Sequence, residues 1–248
     1  MIGFISIASP ANTGNVSECP RMTISAKAGT GNPTRRTIPH ASASTQIVVV
    51  DISAPGFLPV QRTVETEAQR YRSALDVVLV PVDDVATTVD LDTITEVAVA
   101  QGPIETDEIG SRQATVLVSL GTRASLRMPD GSLVDAPTLP LRLTEYTVGE
   151  EGPARMPAPL PPTSGYTYAV EISADEALEV GAKGVQFDAP VSLFVDNYRG
   201  MPVGTVLPVA SYDRDRALWV PDADALVIAI LEVASGTAEI DMDGDGLP

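Results

Sequence analysis

Cysteine, histidine and tryptophan occur once each in 248 residues, as Cys19, His40 and Trp219. A lone cysteine allows no intrachain disulfide, so no covalent framework shapes the fold. One cysteine and one histidine also fall short of the four N/S ligands that structural zinc takes. A Ser-His-Asp or Cys-His centre would have to use His40. That residue sits in a Ser/Thr/Asn/Gly/Pro-rich stretch, Pro10 to Ser44, with no sustained period of two or of 3.6. Basic residues are scarce as well: 16 Lys and Arg stand against 33 Asp and Glu, a net charge of −17. Nucleic acid is therefore not an expected partner, because phosphate contacts need a basic footprint. No apolar run reaches the roughly 18–20 residues that span a bilayer. Met1 to Ser9 lacks the basic start and long apolar centre of a signal peptide. Gly29–Thr30–Gly31–Asn32 has neither the lysine nor the flanking strand and helix of a phosphate loop.

What is present reads as all-β. The 21 prolines and 19 glycines are spread along the chain, which suits many turns. Strand-length runs of β-branched and large apolar residues recur, as in Ile47–Val50, Val191–Val195 and Leu226–Leu231. Turn chemistry such as Ala54–Gly56, Asp130–Gly131 and Asn197–Gly204 breaks them roughly every 8–12 residues, the rhythm of sandwiches and barrels. Further strands are expected over Arg21–Ala26, Phe57–Val64, Leu75–Pro81, Thr95–Ala100, Leu139–Val148 and Tyr166–Ser173. Arg112–Val118 and Arg123–Met128 read as a pair joined by Leu120–Thr122. The acidic stretch after Val89 suggests a boundary. The expected layout is an irregular segment 1–45, a first β-sandwich at 46–92 and a linker at 93–110. A larger second sandwich follows at 111–235, then an acidic tail at 236–248. Pro153 to Gly165 reads as a rigid crossover between strands. Ser173 to Glu176 has the spacing of a capping box that opens a short helix, which Gly181 ends. Trp219 is expected to anchor the second core.

Most acidic pairs, including Asp213/Asp215 and Asp222/Asp224, read as solvated turns rather than paired catalytic carboxylates. One run differs. Asp241–Met242–Asp243–Gly244–Asp245–Gly246 is D-x-D-x-D-G, the first half of a calcium loop, in which alternate carboxylates and tight glycine turns converge on one hard cation. Asp241, Asp243 and Asp245 are the candidate ligands, with the Leu247 carbonyl as a fourth. The distal acidic ligand of a complete loop is missing, so the expected Ca2+ binding is weak.

Several blocks together resemble the N-terminal region of bacterial RHS/YD-repeat proteins, the teneurin-like, polymorphic-toxin family of the cell surface. They are Thr144–Gly149, Met156–Glu171, Val191–Asn197, Pro202–Gly204, Tyr212–Arg216 and Trp219–Pro221, followed by the Asp-rich run. Upstream, Ala54–Arg62 and Asp76–Pro81 resemble the end of a transthyretin-like (carboxypeptidase-regulatory-like) sandwich. The resemblance implies a partial transthyretin-like or immunoglobulin-like sandwich first and a larger sandwich second. It implies a non-enzymatic, extracellular or cell-surface module in bacteria, which packs against a larger RHS/YD-repeat protein or its downstream domains. An alternative is an autoprocessing or hydrolase-associated sandwich, in which a self-cleavage step would fall at His40–Ala41–Ser42.

Overall fold

The computed structural model describes residues 5–7, 23–28, 46–67, 71–161 and 164–248. Among these the chain is all-β, as its turn rhythm and alternation predict, with one helix of five residues and a single 3-10 turn. Cys19 and His40 lie outside the described residues, and of the segment 1–45 only two short strands are described.

Four sheets carry the architecture. The first has the order β1-β11-β10-β5, from β1 (Ile5–Ile7), β11 (Val170–Ala174), β10 (Thr138–Glu145) and β5 (Thr87–Asp90). Only the β1/β11 pairing is parallel. The second joins β13 (Ser192–Val195), β7 (Gly110–Val118) and β6 (Ala98–Asp107). The third joins β12 (Gly184–Phe187), β8 (Ala124–Arg127) and β9 (Leu133–Asp135). In the fourth, β3 (Gln46–Ser53) lies between β2 (Thr23–Ala28) and β4 (Val60–Thr66). Three further pairs follow: β14 (Val206–Leu207) with β17 (Ala225–Leu226), β15 (Ala210–Asp213) with β16 (Leu218–Pro221), and β18 (Ala229–Ala234) with β19 (Thr237–Asp241).

Alternation places the main core. On β7, Arg112, Ala114, Val116 and Val118 are buried, and on β10, Leu139, Leu141 and Leu143 are buried. All of these but Arg112 join Val89, Ala100, Leu126, Val170 and Val195 in one apolar cluster drawn from three sheets. Strand β6 comes close to β10 at Gly102. A Cβ there would stand 2.7 Å from the Leu143 carbonyl oxygen, so only glycine fits the approach. The β6–β7 register shifts between Gln101 and Ile104. Pro103 lies within that irregularity, where its missing N–H breaks no ladder bond.

Several local expectations are corrected. Residues 98–107, inside the stretch expected to be a linker, form β6, which buries Ala100 and keeps its acidic residues Glu105 and Asp107 half-buried. Strands β7 and β8 are successive but not paired; they lie in different sheets, joined by the exposed turn Ser119–Gly121, which Thr122 N–H closes on Ser119 O. Leu75–Pro81 forms no strand. Its backbone is tied at single points instead, with Val78 N–H donating to Ala154 O and an isolated bridge from Pro81 to Phe57. The helix α1 (Asp175–Glu179) starts one residue later than the capping-box spacing implies. Ala174 is its N-cap and makes no side-chain cap bond, while Ser173 remains in β11 with its Oγ buried and without a hydrogen-bond partner among the described residues. Gly181 ends the helix in the left-handed region at φ 70°, as its position suggested.

A second apolar cluster is smaller. Leu58, Val80, Tyr146, Met156 and Ala169 are its buried members, and Trp219 packs on its side. Trp219 is therefore an anchor of this minor cluster rather than of the main core. Its ring lies 5.2 Å from that of Tyr212, and its indole N–H donates to Pro159 O at 3.0 Å. The Pro-rich crossover thus has a definite job: its carbonyls accept from side chains that arrive from elsewhere in the chain.

Candidate metal-binding loop

Among the described residues, the strands of the β18–β19 hairpin pair only with each other. Its turn is Ser235–Gly236, both with positive φ (53° and 77°), the two-residue form that matches strand twist. Strand β19 delivers Asp241 to a buried position, and the chain then coils through Gly244 and Gly246 at φ 87° and 79°. Those two conformations let the backbone fold around the first aspartate. Asp241 Oδ1 accepts from the amides of Asp243 (3.1 Å) and Gly244 (2.7 Å), and Oδ2 accepts from Gly246 (2.9 Å). Asp243 Oδ1 accepts from Asp245 N–H, and Asp245 Oδ1 from Leu247 N–H. The donated amides, Gly244 foremost, hold the Asp241 carboxyl below the usual carboxylate range.

The loop brings three of the four expected ligands together. Oxygens of Asp241, Asp243 and Asp245 all lie within 4.8 Å of one another. Leu247 enters the loop through its amide nitrogen, and its side chain is exposed. The loop is also docked rather than trailing. A Cβ on Gly204 would meet Asp243 Cα and O at 3.3 Å, and one on Gly244 would meet Val203 O at 3.5 Å. The opposing turn is itself held, with Gly204 N–H donating to Val227 O and Val227 N–H to Thr205 O. Carboxylates at this spacing repel one another unless a cation lies between them; Asp241 Oδ1 already accepts two amides, whereas Asp241 Oδ2 and the Asp243 and Asp245 oxygens keep a lone pair beyond their amide bonds. Chemically the arrangement can take a hard divalent ion through three carboxylates, with water completing the 6–8 oxygens that calcium takes.

Sequence patterning missed a different constellation, the buried charges. Arg214 donates to Glu171 Oε2 at 3.2 Å, to the Tyr146 hydroxyl at 3.3 Å and to Pro59 O at 2.8 Å. Tyr146 donates to the same Glu171 oxygen at 2.7 Å, and Glu171 is fully buried. Burial, then the Glu171 charge, pushes the Tyr146 hydroxyl well above its ordinary pKa. Gln61 bridges Asp51, Arg214 O and the Tyr212 hydroxyl. Arg62, also buried, donates to the carbonyls of Met156 and Ala154. A second cluster centres on Arg112, which binds Glu145 and Asp107 at 2.8 Å each and lies 4.6 Å over the Tyr198 ring. Thr147 donates to the same Glu145 oxygen. Burial raises the Glu145 pKa, while the hydrogen bond from Arg112 lowers that of Asp107. For Arg62, Arg112, Glu145 and Glu171 the signal was one of type rather than period, a charged residue within a strand; Arg214 lies in the turn after β15 and carries no such signal.

Of the other acidic pairs, Asp213 closes β15, Asp215 lies in the turn after it, and Asp222 and Asp224 are exposed between strands. Asp213 accepts from Arg216 N–H, and Asp222 from Ala223 N–H. Asp215 instead pairs with Lys183, so Asp213 and Asp215 serve different partners. Comparison with family models, curated proteins and solved structures returned no match. No helix among the described residues is long and apolar enough to cross a membrane.

Proposed function

We propose that the chain is a non-enzymatic β-module of a bacterial RHS/YD-repeat system, extracellular or at the cell surface, that serves packing and interaction. In this reading residues 46–92 supply the transthyretin-like part and 111–235 the larger sandwich. The C-terminal loop is a weak Ca2+ site that stiffens the β18–β19 hairpin. The observation that carries the reading is the docked D-x-D-x-D-G loop, whose three carboxylates converge at the base of a hairpin with exposed Ile230, Leu231 and Val233. An exposed apolar hairpin anchored by a cation loop is suited to present an edge to a larger partner. The consumption of the buried charges in paired, hydrogen-bonded clusters supports a structural role for them.

The test is intact-mass measurement of the purified chain after prolonged incubation, combined with calcium titration. A single unprocessed mass and saturable Ca2+ uptake are expected. A stable pair of fragments would instead favour the autoprocessing alternative and overturn the non-enzymatic reading.

A further inference from the structure

A cleft of about 580 Å³ lies between β12 and the β15–β16 hairpin, on a different part of the molecule from the acidic loop. Its size falls within the roughly 300–1,000 Å³ of small-molecule sites. Its charge runs against the rest of the chain. In a protein of net charge −17, four cations line it, Arg127, Lys183, Arg214 and Arg216, against two carboxylates, Asp213 and Asp215. The four are not equally engaged. Lys183 holds Asp215 at 2.9 and 3.0 Å, which fixes that carboxylate in place. Arg127 reaches Asp215 only at 3.9 Å, and Arg216 reaches Asp213 only at 3.8 Å. The side chains of these two arginines are 50% and 64% exposed. Neither guanidinium makes a hydrogen bond among the described residues, so their planar forks remain open to a carboxylate. Arg214 is anchored from behind by Pro59 O and Glu171, and its buried Nε has no hydrogen-bond partner among the described residues.

The remaining lining narrows the ligand. Gln186 and Ser211 offer both donors and acceptors, Asp213 accepts, and Phe187 adds a half-buried ring. A ligand that is anionic yet rich in hydroxyls uses all of these. Its carboxylate meets the arginine forks, its hydroxyls meet the amide, hydroxyl and carboxylate, and its C–H face lies on the ring. An acidic peptide would offer Asp213 and Asp215 only its backbone amides, whereas each sugar ring offers several hydroxyl donors. We propose that this cleft binds a carboxylated oligosaccharide, a site that does not depend on the module's place in a larger system.

The experiment is calorimetric titration of the full chain with trigalacturonate and with the neutral trisaccharide maltotriose, in chelator so that no calcium bridges the acid to the C-terminal loop. Trigalacturonate should bind, with affinity falling as salt rises, and maltotriose should bind at least about tenfold more weakly. An Arg127→Gln/Arg216→Gln variant should lose about tenfold or more of the trigalacturonate affinity. Its melting temperature should be unchanged, because exposed long-range ion pairs contribute little to stability. Absence of binding, equal binding of the two trisaccharides, or undiminished binding by the variant would each overturn the proposal. So would preferential uptake of hexaglutamate offered as a competing acidic peptide.

Discussion

The main core and the seam beside it solve the same problem with different chemistry. In the core, leucine, valine and alanine from β5, β6, β7, β8, β10 and β11 meet in one apolar cluster, where burial alone stabilises. In the seam, Leu58, Val80, Tyr146, Met156 and Ala169 form a smaller buried cluster with Trp219 packed on its side. Charge and hydrogen bonds do the rest: Arg62 on carbonyls, Gln61 on Tyr212, and Arg214 on Glu171 and Tyr146. The difference lies in tolerance. An apolar core loses stability in proportion to what is removed, whereas a buried ion pair fails abruptly when one partner goes.

The largest effect should therefore come from the seam. Arg214→Met leaves Glu171 buried beside Tyr146 without its cation and should cost about 3–5 kcal/mol in urea denaturation. The double variant Arg214→Met/Glu171→Leu should recover much of that loss, and a double variant no better than the single would break the contrast. In the core, Leu141→Ala should cost about 3 kcal/mol, within the usual range for a buried leucine, with no charge partner able to rescue it. Trp219→Ala should cost about 2 kcal/mol, roughly half the loss from a core tryptophan, since Trp219 is only half-buried. Its fluorescence should be blue-shifted, and a freely quenched, red-shifted tryptophan would contradict its place on the minor cluster.

A smaller effect appears as a slope. The hydrogen bond from Arg112 lowers the Asp107 pKa on folding. The unfolded chain therefore binds more protons near the ordinary Asp pKa, about 3.9. The stabilisation from this group is present above that pH and is lost as pH falls toward the lowered folded value. Burial raises the Glu145 pKa and tilts the profile the other way, so its stabilisation grows as pH falls. Subtracting the Asp107→Asn profile isolates the first contribution. Acid unfolding curves should be shallower below about pH 4 in Asp107→Asn than in the wild type.

The contrast also explains what could be read from residues alone. The all-β class was legible because turn chemistry and alternation are local, as in Arg112–Val118 and Leu139–Val148, which closely frame β7 and β10. Strand partners were not. Nothing near Leu120–Thr122 signals that β7 and β8 enter different sheets, because that choice is made by Val116 and Leu126 meeting within one core. Ser173 matched a capping spacing, yet β11 pairing with β10 outcompetes the cap. Asp241, Asp243 and Asp245 were found because their geometry is encoded at alternate positions of a single loop. The seam's Arg214, Glu171 and Gln61 come from distant segments, and no spacing could announce them.

The most direct test of the functional account is calorimetric titration of calcium into the wild-type chain and into Asp241→Asn/Asp243→Asn/Asp245→Asn, at one fixed ionic strength. With three carboxylates supplied and water filling the remaining positions, binding is expected near the weak extracellular range of about 10⁻⁴–10⁻³ M. The account predicts a single saturable site in the wild type, abolished in the triple variant, with the β18–β19 amides gaining hydrogen-exchange protection as calcium binds. Indistinguishable titrations of the two chains would contradict it and leave the loop a self-capped acidic turn.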